Sequence, residues 1–147
     1  MNITIVCIGK LKERHWTEAA AEYVKRLGKY CTLQIDELKE EATKSGEGQS
    51  ILRRVKKEDY VIALEISGTE LDSAGLARKI EDLSVSGKSK VVFLIGGSDG
   101  LSEEALSRAD FRLSFSKMTF PHQMMRVILL EQVYRSYKII KNEKYHK

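Results

Sequence analysis

Short apolar runs alternate with helix-patterned segments along this chain, and that alternation leaves few architectures open. Asn2 to Ile8 is a β-branched run ended by Gly9, and Trp16 to Leu27 puts Trp16, Ala19, Ala20, Tyr23, Val24 and Leu27 on one helical face. Thr32 to Leu38 reads as a second strand. Lys39 to Gln49 is polar and contains glycine, which predicts a surface loop, and Ser50 to Val55 reads as the end of a short helix. Tyr60 to Ile66 is a near-continuous apolar strand halted at Ser67-Gly68; Leu71, Leu76, Ile80 and Leu83 then line a helix. Val91 to Ile95 is the most apolar strand and stops at Gly96-Gly97. Ser102 to Leu106 predicts a helical turn capped by Ser102, with acidic residues at its start. Phe111 to Phe115 is the last strand. Pro121 opens the final helix, with Thr119 a candidate cap. Strands apolar throughout, rather than at alternate positions, are buried on both faces. The expected fold is therefore α/β, a mainly parallel five- to six-stranded sheet (five strands are counted directly) with helices on both faces.

A chain of 147 residues with 42% hydrophobic content can bury a core as a single domain, 1–147, without metal or disulfide help. Cys7 and Cys31 lie in apolar stretches, not in a spaced framework, and read as reduced packing residues of a cytoplasmic protein. His15, His122 and His146 are too scattered to suggest a zinc site, so no metal is expected. The apolar run Ile3 to Ile8 lacks the flanks of a secretory signal, and no run approaches the length of a membrane span. Charge is distributed unevenly. Pro121 to Lys147 holds six Lys/Arg against two Glu, whereas residues 1–120 balance at nineteen against nineteen. This cationic end also carries His122, Glu131, Arg135, Lys138 and Tyr145-His146-Lys147, a set suited to a polyanion that is also acted on chemically; a solvated basic helix is the commoner use of such charges.

Ligands of open α/β sheets sit beyond the carboxyl ends of strands. The first such turn, Gly9-Lys10-Leu11-Lys12, lacks the glycine-rich dinucleotide fingerprint, and no loop offers the phosphate cradle of a flavodoxin-like carrier. Punctuation is strongest later, at Leu64 to Gly68, Ile95 to Gly100 and Phe115 to Phe120. Glycine after a buried strand admits a close backbone approach, although an ordinary turn uses it too. The loop with Phe115, Met118 and Phe120 is apolar enough for a flat heterocycle, although Met and Phe are more often core.

Gly9-Lys10-Leu11-Lys12, Ile95-Gly96-Gly97-Ser98-Asp99-Gly100-Leu101-Ser102, Leu113 to Gln123 (LSFSKMTFPHQ), the EQxYR stretch from Glu131 and the terminal Tyr145-His146-Lys147 resemble the ribosomal RNA large subunit methyltransferase H family of the SPOUT class. The resemblance spans essentially the whole chain. It implies an S-adenosyl-L-methionine-dependent enzyme that methylates N3 of a pseudouridine in the 23S rRNA of the large subunit or the 70S ribosome. It also implies a C-terminal trefoil knot forming the cofactor pocket, and a homodimer. The family's cofactor contacts fall on Leu64, Gly96, Phe115, Ser116, Lys117, Met118, Thr119 and Phe120; its RNA-facing and catalytic positions fall on His122, Glu131, Arg135, Tyr145, His146 and Lys147. Two departures stand out. Asn142-Glu143-Lys144 precedes Tyr145 where relatives carry proline, which predicts a less rigid tail, and the polar loop after the second strand is short.

An activated methyl group asks the protein mainly for alignment. An imide-like N3–H also needs a base, or a cation that stabilises its anion. Glu131 and Arg135, spaced i,i+4, can pair on one helix face and orient the guanidinium for that task, or form a plain surface salt bridge worth less than about 1 kcal/mol. Tyr145, His146 and Lys147 suit base stacking, proton handling and phosphate contact. The alternative function is a non-catalytic ribosome-associated RNA-binding dimer using the same basic end.

Overall fold

The computed structural model describes all of residues 1–147. Its elements run β1 (Asn2–Ile8), α1 (Arg14–Leu27), β2 (Thr32–Leu38), α2 (Lys44–Leu52), β3 (Tyr60–Glu70), α3 (Ser73–Val85), β4 (Lys90–Ile95), α4 (Glu103–Arg108), β5 (Phe111–Ser114) and α5 (His122–Ile140). The five strands form one sheet in the order β2-β1-β4-β3-β5, and every neighbouring pair is parallel. The mainly parallel sheet expected from the uninterrupted apolar runs is thus all parallel.

Strand side chains alternate between two faces, so each central strand feeds two cores. Ile3, Ile5, Cys7, Val91, Phe93 and Ile95 pack under α1, α3 and α5. Val6, Ile8, Val92 and Leu94 pack with Ile51 of α2 and with Ala105 and Leu106 of α4 on the other side. Helix α5 lies between α1 and α3 and contributes Leu129, Leu130, Val133, Tyr134 and Tyr137 to the larger core.

Three sequence expectations need correction. The segment Lys39 to Gln49 is not all loop, because α2 begins at Lys44, where the Thr43 side chain accepts a hydrogen bond from the Gly46 amide at 3.0 Å. Its glycines serve packing: any side chain at Gly48 would run into Ser102, so glycine is what lets α2 approach α4. Strand β3 does not stop at Ser67 either. It pairs with β5 on both sides of an irregularity, Leu64 and later Thr69 both opposing Leu113, with Gly68 where a Cβ would lie 2.6 Å from the Arg112 carbonyl oxygen. Finally, Thr119 caps nothing; Pro121 occupies the cap position of α5 and no side chain caps that end. Ser102 does cap α4 as expected, accepting from the Ala105 amide at 3.2 Å. No helix is long and apolar enough to cross a membrane.

Candidate active site

A cleft of about 470 Å³ opens at the carboxyl ends of β3, β4 and β5, a size typical of small-molecule sites. Its walls are Leu64, Glu65 and Ile66 from β3, the Ile95–Leu101 turn after β4, and the segment after β5. The turn after β4 is tightly folded: Gly96 lies so close to the Gly100 backbone that a Cβ there has no room, and Gly100 adopts φ +82°. After β5, the Ser114 hydroxyl donates to the Ser116 carbonyl at 3.0 Å and the Met118 amide donates to the Ser116 hydroxyl at 3.0 Å, a compact turn that presents Met118 and Phe120 to the cleft.

Of the residues expected to hold a cofactor, Leu64, Gly96, Phe115, Ser116, Met118, Thr119 and Phe120 line this cleft; Lys117 does not. His122, expected among the RNA-facing groups, lines it as well. The lining suits a flat, cationic ligand. Ile66 and Met118, exposed to 46% and 73%, are two of only four large apolar side chains left in solvent, and both belong to this cleft. Glu65, Asp99 and Glu103 set three carboxylates against the single ammonium of Lys44, a lining that favours positive charge. Glu65 and Asp99 lie in the strand-end turns marked in the sequence, whereas Lys44 and Glu103 were not singled out, because α2 and α4 reach the cleft only through the fold.

The first turns of α5 join this cleft to β1. Arg126, 2% exposed, donates to Glu37 Oε2 at 2.7 Å, to the Gly9 carbonyl at 2.9 Å and to the Ile8 carbonyl at 3.4 Å. Glu37 also accepts from the Leu11 amide at 3.3 Å. The sequence offers one sign of this role: a single arginine inside the apolar stretch Met124 to Leu130.

The remaining candidates gather along the second half of α5 and the tail that follows it. Glu131 accepts from Arg135 Nε at 2.7 Å, and that hydrogen bond is the chief cause raising the guanidinium pKa above its usual value. Both side chains are three-quarters or more buried, at 25% and 17% exposure, so the pair is not the plain surface bridge. The guanidinium lies 4.7 Å from the centroid of the Tyr145 ring and 3.1 Å from His146 Nδ1. Tyr145 in turn meets Tyr134 edge-on at 4.9 Å, and burial, followed by the Glu131 charge, raises its phenol pKa. Lys147 is exposed. None of Glu131, Arg135, Tyr145, His146 and Lys147 lines the cleft. At about 1.5 Å per residue, the thirteen steps from His122 to Arg135 separate the two groups by roughly 20 Å along the helix.

No group of three or more His, Cys, Asp or Glu side chains is arranged to hold a metal. The cleft and its strand ends match a methyltransferase: the family model described as a predicted SPOUT methyltransferase covers residues 1–146, and the chain belongs to that family. It is 54% identical to the "Ribosomal RNA large subunit methyltransferase H" of Clostridium novyi and 52% identical to the "Putative ribosomal RNA large subunit methyltransferase H" of Methanococcus maripaludis, in both cases over all of this chain and all of the relative. Among solved structures, a probable methylase family protein from Haemophilus influenzae shares the fold, with a TM-score of 0.58 at 15% identity, over 99% of this chain and 70% of that one.

Proposed function

We propose that this methyltransferase transfers a methyl group from S-adenosyl-L-methionine to N3 of a pseudouridine in the 23S rRNA of the large ribosomal subunit, and that it does so as a homodimer. The names of its full-length relatives support rRNA as the substrate. The observation that carries the reading is the division of the site along α5. A donor-sized cleft lies at one end, an Arg-His-Tyr-Lys cluster at the other, roughly 20 Å apart by helix rise. A two-fold that sets the tail of one protomer over the cleft of its partner would bring these halves to one nucleotide. The trefoil knot belongs to the same reading: the segment 115–120 shares one cleft with the β3 and β4 ends before the chain turns into α5.

When bound, S-adenosyl-L-methionine supplies a methyl group already activated for transfer. Leu64, Phe115 and Phe120 would flank its flat base, with Glu65 and Asp99 available to its cationic groups. Ile66 and Met118 would lose their exposure and exclude water. From the partner, Tyr145 would stack on the nucleobase and Lys147 would meet a phosphate. Arg135, held by Glu131, would stabilise the anion left when the N3 proton departs, and His146 beside it can take part in moving that proton.

Methyl transfer from labelled donor to ribosomes of a strain lacking the enzyme, followed by mapping of the modified nucleotide, tests the reading. Label at N3 of a 23S pseudouridine supports it. Absence of saturable donor binding by calorimetry, with and without 70S ribosomes, would instead support a non-catalytic RNA-binding dimer. Full turnover by a strictly monomeric variant would refute the shared site.

A further inference from the structure

We propose that Glu143 is a positioning residue: its carboxylate, gripped by Tyr30 and Lys138, sets the place of the terminal Tyr145-His146-Lys147. This rests on the tail acting in methyl transfer, as proposed above.

The grip begins where α5 stops. Asn142 takes the left-handed conformation, φ +55°; its amide donates to the Ile139 carbonyl at 3.0 Å and the Glu143 amide to the Lys138 carbonyl at 2.9 Å. This paired closure of a helix end turns the chain back on itself. It leaves Glu143 facing two anchors at once. Oε1 accepts from the Tyr30 hydroxyl at 2.9 Å, and Oε2 accepts from Lys138 Nζ at 3.1 Å.

Both anchors are themselves fixed. Tyr30 stacks on Tyr137 of α5 with centroids 5.7 Å apart and planes within 13°, and its own amide donates to the Leu27 carbonyl at 2.9 Å. The Lys138 side chain is only 12% exposed, and its ammonium lies 5.8 Å from the Tyr134 centroid and 3.4 Å from the Tyr30 hydroxyl. The carboxylate is thus tied to the α1–β2 turn and to α5, elements more than a hundred residues apart in sequence. Its pKa is drawn below the usual carboxylate range, first by Lys138 and then by Tyr30, and that of Lys138 is raised first by Glu143.

Two residues later comes Tyr145. Two extended residues reach at most about 7 Å, so a fixed Glu143 confines the tyrosine to the neighbourhood of Tyr134 and Arg135, where its ring is found. With Glu143 free, the chain would pivot at Asn142 and the tail would sample a wider volume. Glu143, the more exposed partner at 39%, can be removed at little cost in global stability, because Lys138 keeps the Tyr30 hydroxyl and the Tyr134 ring. Its loss is therefore read in turnover and tail order, not in melting temperature. That separates positioning from structure.

The test compares wild type with Glu143→Ala, Glu143→Gln and the double variant Tyr30→Phe/Glu143→Ala. Heteronuclear NOEs at the Tyr145 and His146 amides report tail order. Methyl transfer to ribosomes gives kcat and KM, and calorimetry gives donor affinity. Glu143→Ala is expected to lower the NOEs and to cut kcat/KM for ribosomes about tenfold, with donor affinity and Tm unchanged. Glu143→Gln, which keeps an acceptor for Tyr30, should fall between, and the double variant should lose no more than Glu143→Ala. Wild-type NOEs and kcat/KM in Glu143→Ala would overturn the proposal, as would a drop in Tm matched by a drop in donor affinity. Should wild type itself leave ribosomes unmethylated, the function reading fails, and unchanged NOEs in Glu143→Ala would then sink the clamp separately.

Discussion

Replacing Arg126 by methionine probes the joint between the cleft and the rest of the fold. The side chain is 2% exposed and satisfies the Gly9 carbonyl at 2.9 Å, the Ile8 carbonyl at a longer 3.4 Å, and Glu37 at 2.7 Å. Methionine keeps much of the volume but none of these bonds. An orphaned buried acceptor costs about 1–3 kcal/mol, and here one short bond and one long one are lost. Glu37 is a third exposed and regains water, so its share falls toward the ~0–1 kcal/mol of surface pairs. Relief from burying a cation offsets part of the sum. The net expectation is a loss of about 2 kcal/mol, a roughly thirtyfold shift in the folding equilibrium. It should appear as a Tm lower by about 4–8 °C in thermal melts, with the matching shift in urea midpoint at constant m. Because Met125 and His122 line the cleft on the same turns, donor affinity should weaken in calorimetry as well. The double variant Arg126→Met/Glu37→Gln should lose less than the sum of the singles. A single Arg126→Met variant within about 0.5 kcal/mol of wild type would refute the reasoning, since that is the range of surface changes that touch nothing.

Cys7 provides a pH test: burial pushes its thiol from the ordinary 9.0 up to about 12, despite the opposing pull of Arg126. The unfolded chain releases this proton first, so the stability from the neutral thiol is complete below pH 9 and is lost between about pH 9 and 12, at up to ~1.4 kcal/mol per pH unit. Urea melts across that window should flatten in Cys7→Ala, and an unchanged slope would contradict the burial argument. Gly96→Ala has no room beside Gly100 and should displace the turn after β4, reducing donor affinity at least about tenfold by calorimetry. Deleting Tyr145 to Lys147 should abolish methyl transfer in the ribosome assay while leaving donor affinity within about twofold; a parallel loss of affinity would undo the separation of cleft and tail.

The sheet was readable because β1, β3 and β4 each carry an unbroken apolar run, Ile5 to Ile8, Tyr60 to Leu64 and Val91 to Ile95, where burial on one face alone would give alternation. Local chemistry also announced the Ser102 cap. What misled was glycine. Gly46 and Gly48 suggested a loose loop but occupy a helix, one of them because Ser102 presses against it, and Gly68 suggested a strand end but marks a close passage beside β5. Composition records that a residue is small, not whether the space it leaves is filled by water or by another element. The site divides similarly. Leu64, Gly96 and Phe115 to Phe120 could be gathered because strand ends of a parallel sheet share one edge, although Lys117 turns away from the cleft. Glu143 drew notice only as part of Asn142-Glu143-Lys144, the stretch before Tyr145 where proline was expected. Its partner Tyr30 lies 113 residues away, a distance no local pattern bridges. Without that proline, the chain before Tyr145 makes a different contact: the Glu143 carboxylate bonds Tyr30 and Lys138.

Helix α5 is made after the other nine elements and fills the groove between α1 and α3, supplying five of the buried residues of the larger core. Until it has left the ribosomal exit tunnel, α1 and α3 can cover only their own shares of this sheet face, and the groove between them stays open to solvent or to chaperones. A nascent chain of this kind cannot mature stepwise from its amino end. Its pairings are also long-range, which slows collapse into the native order. Frameshifts or early stop codons even a few turns from the end should therefore yield aggregating or degraded products, rather than folded proteins that merely lack activity.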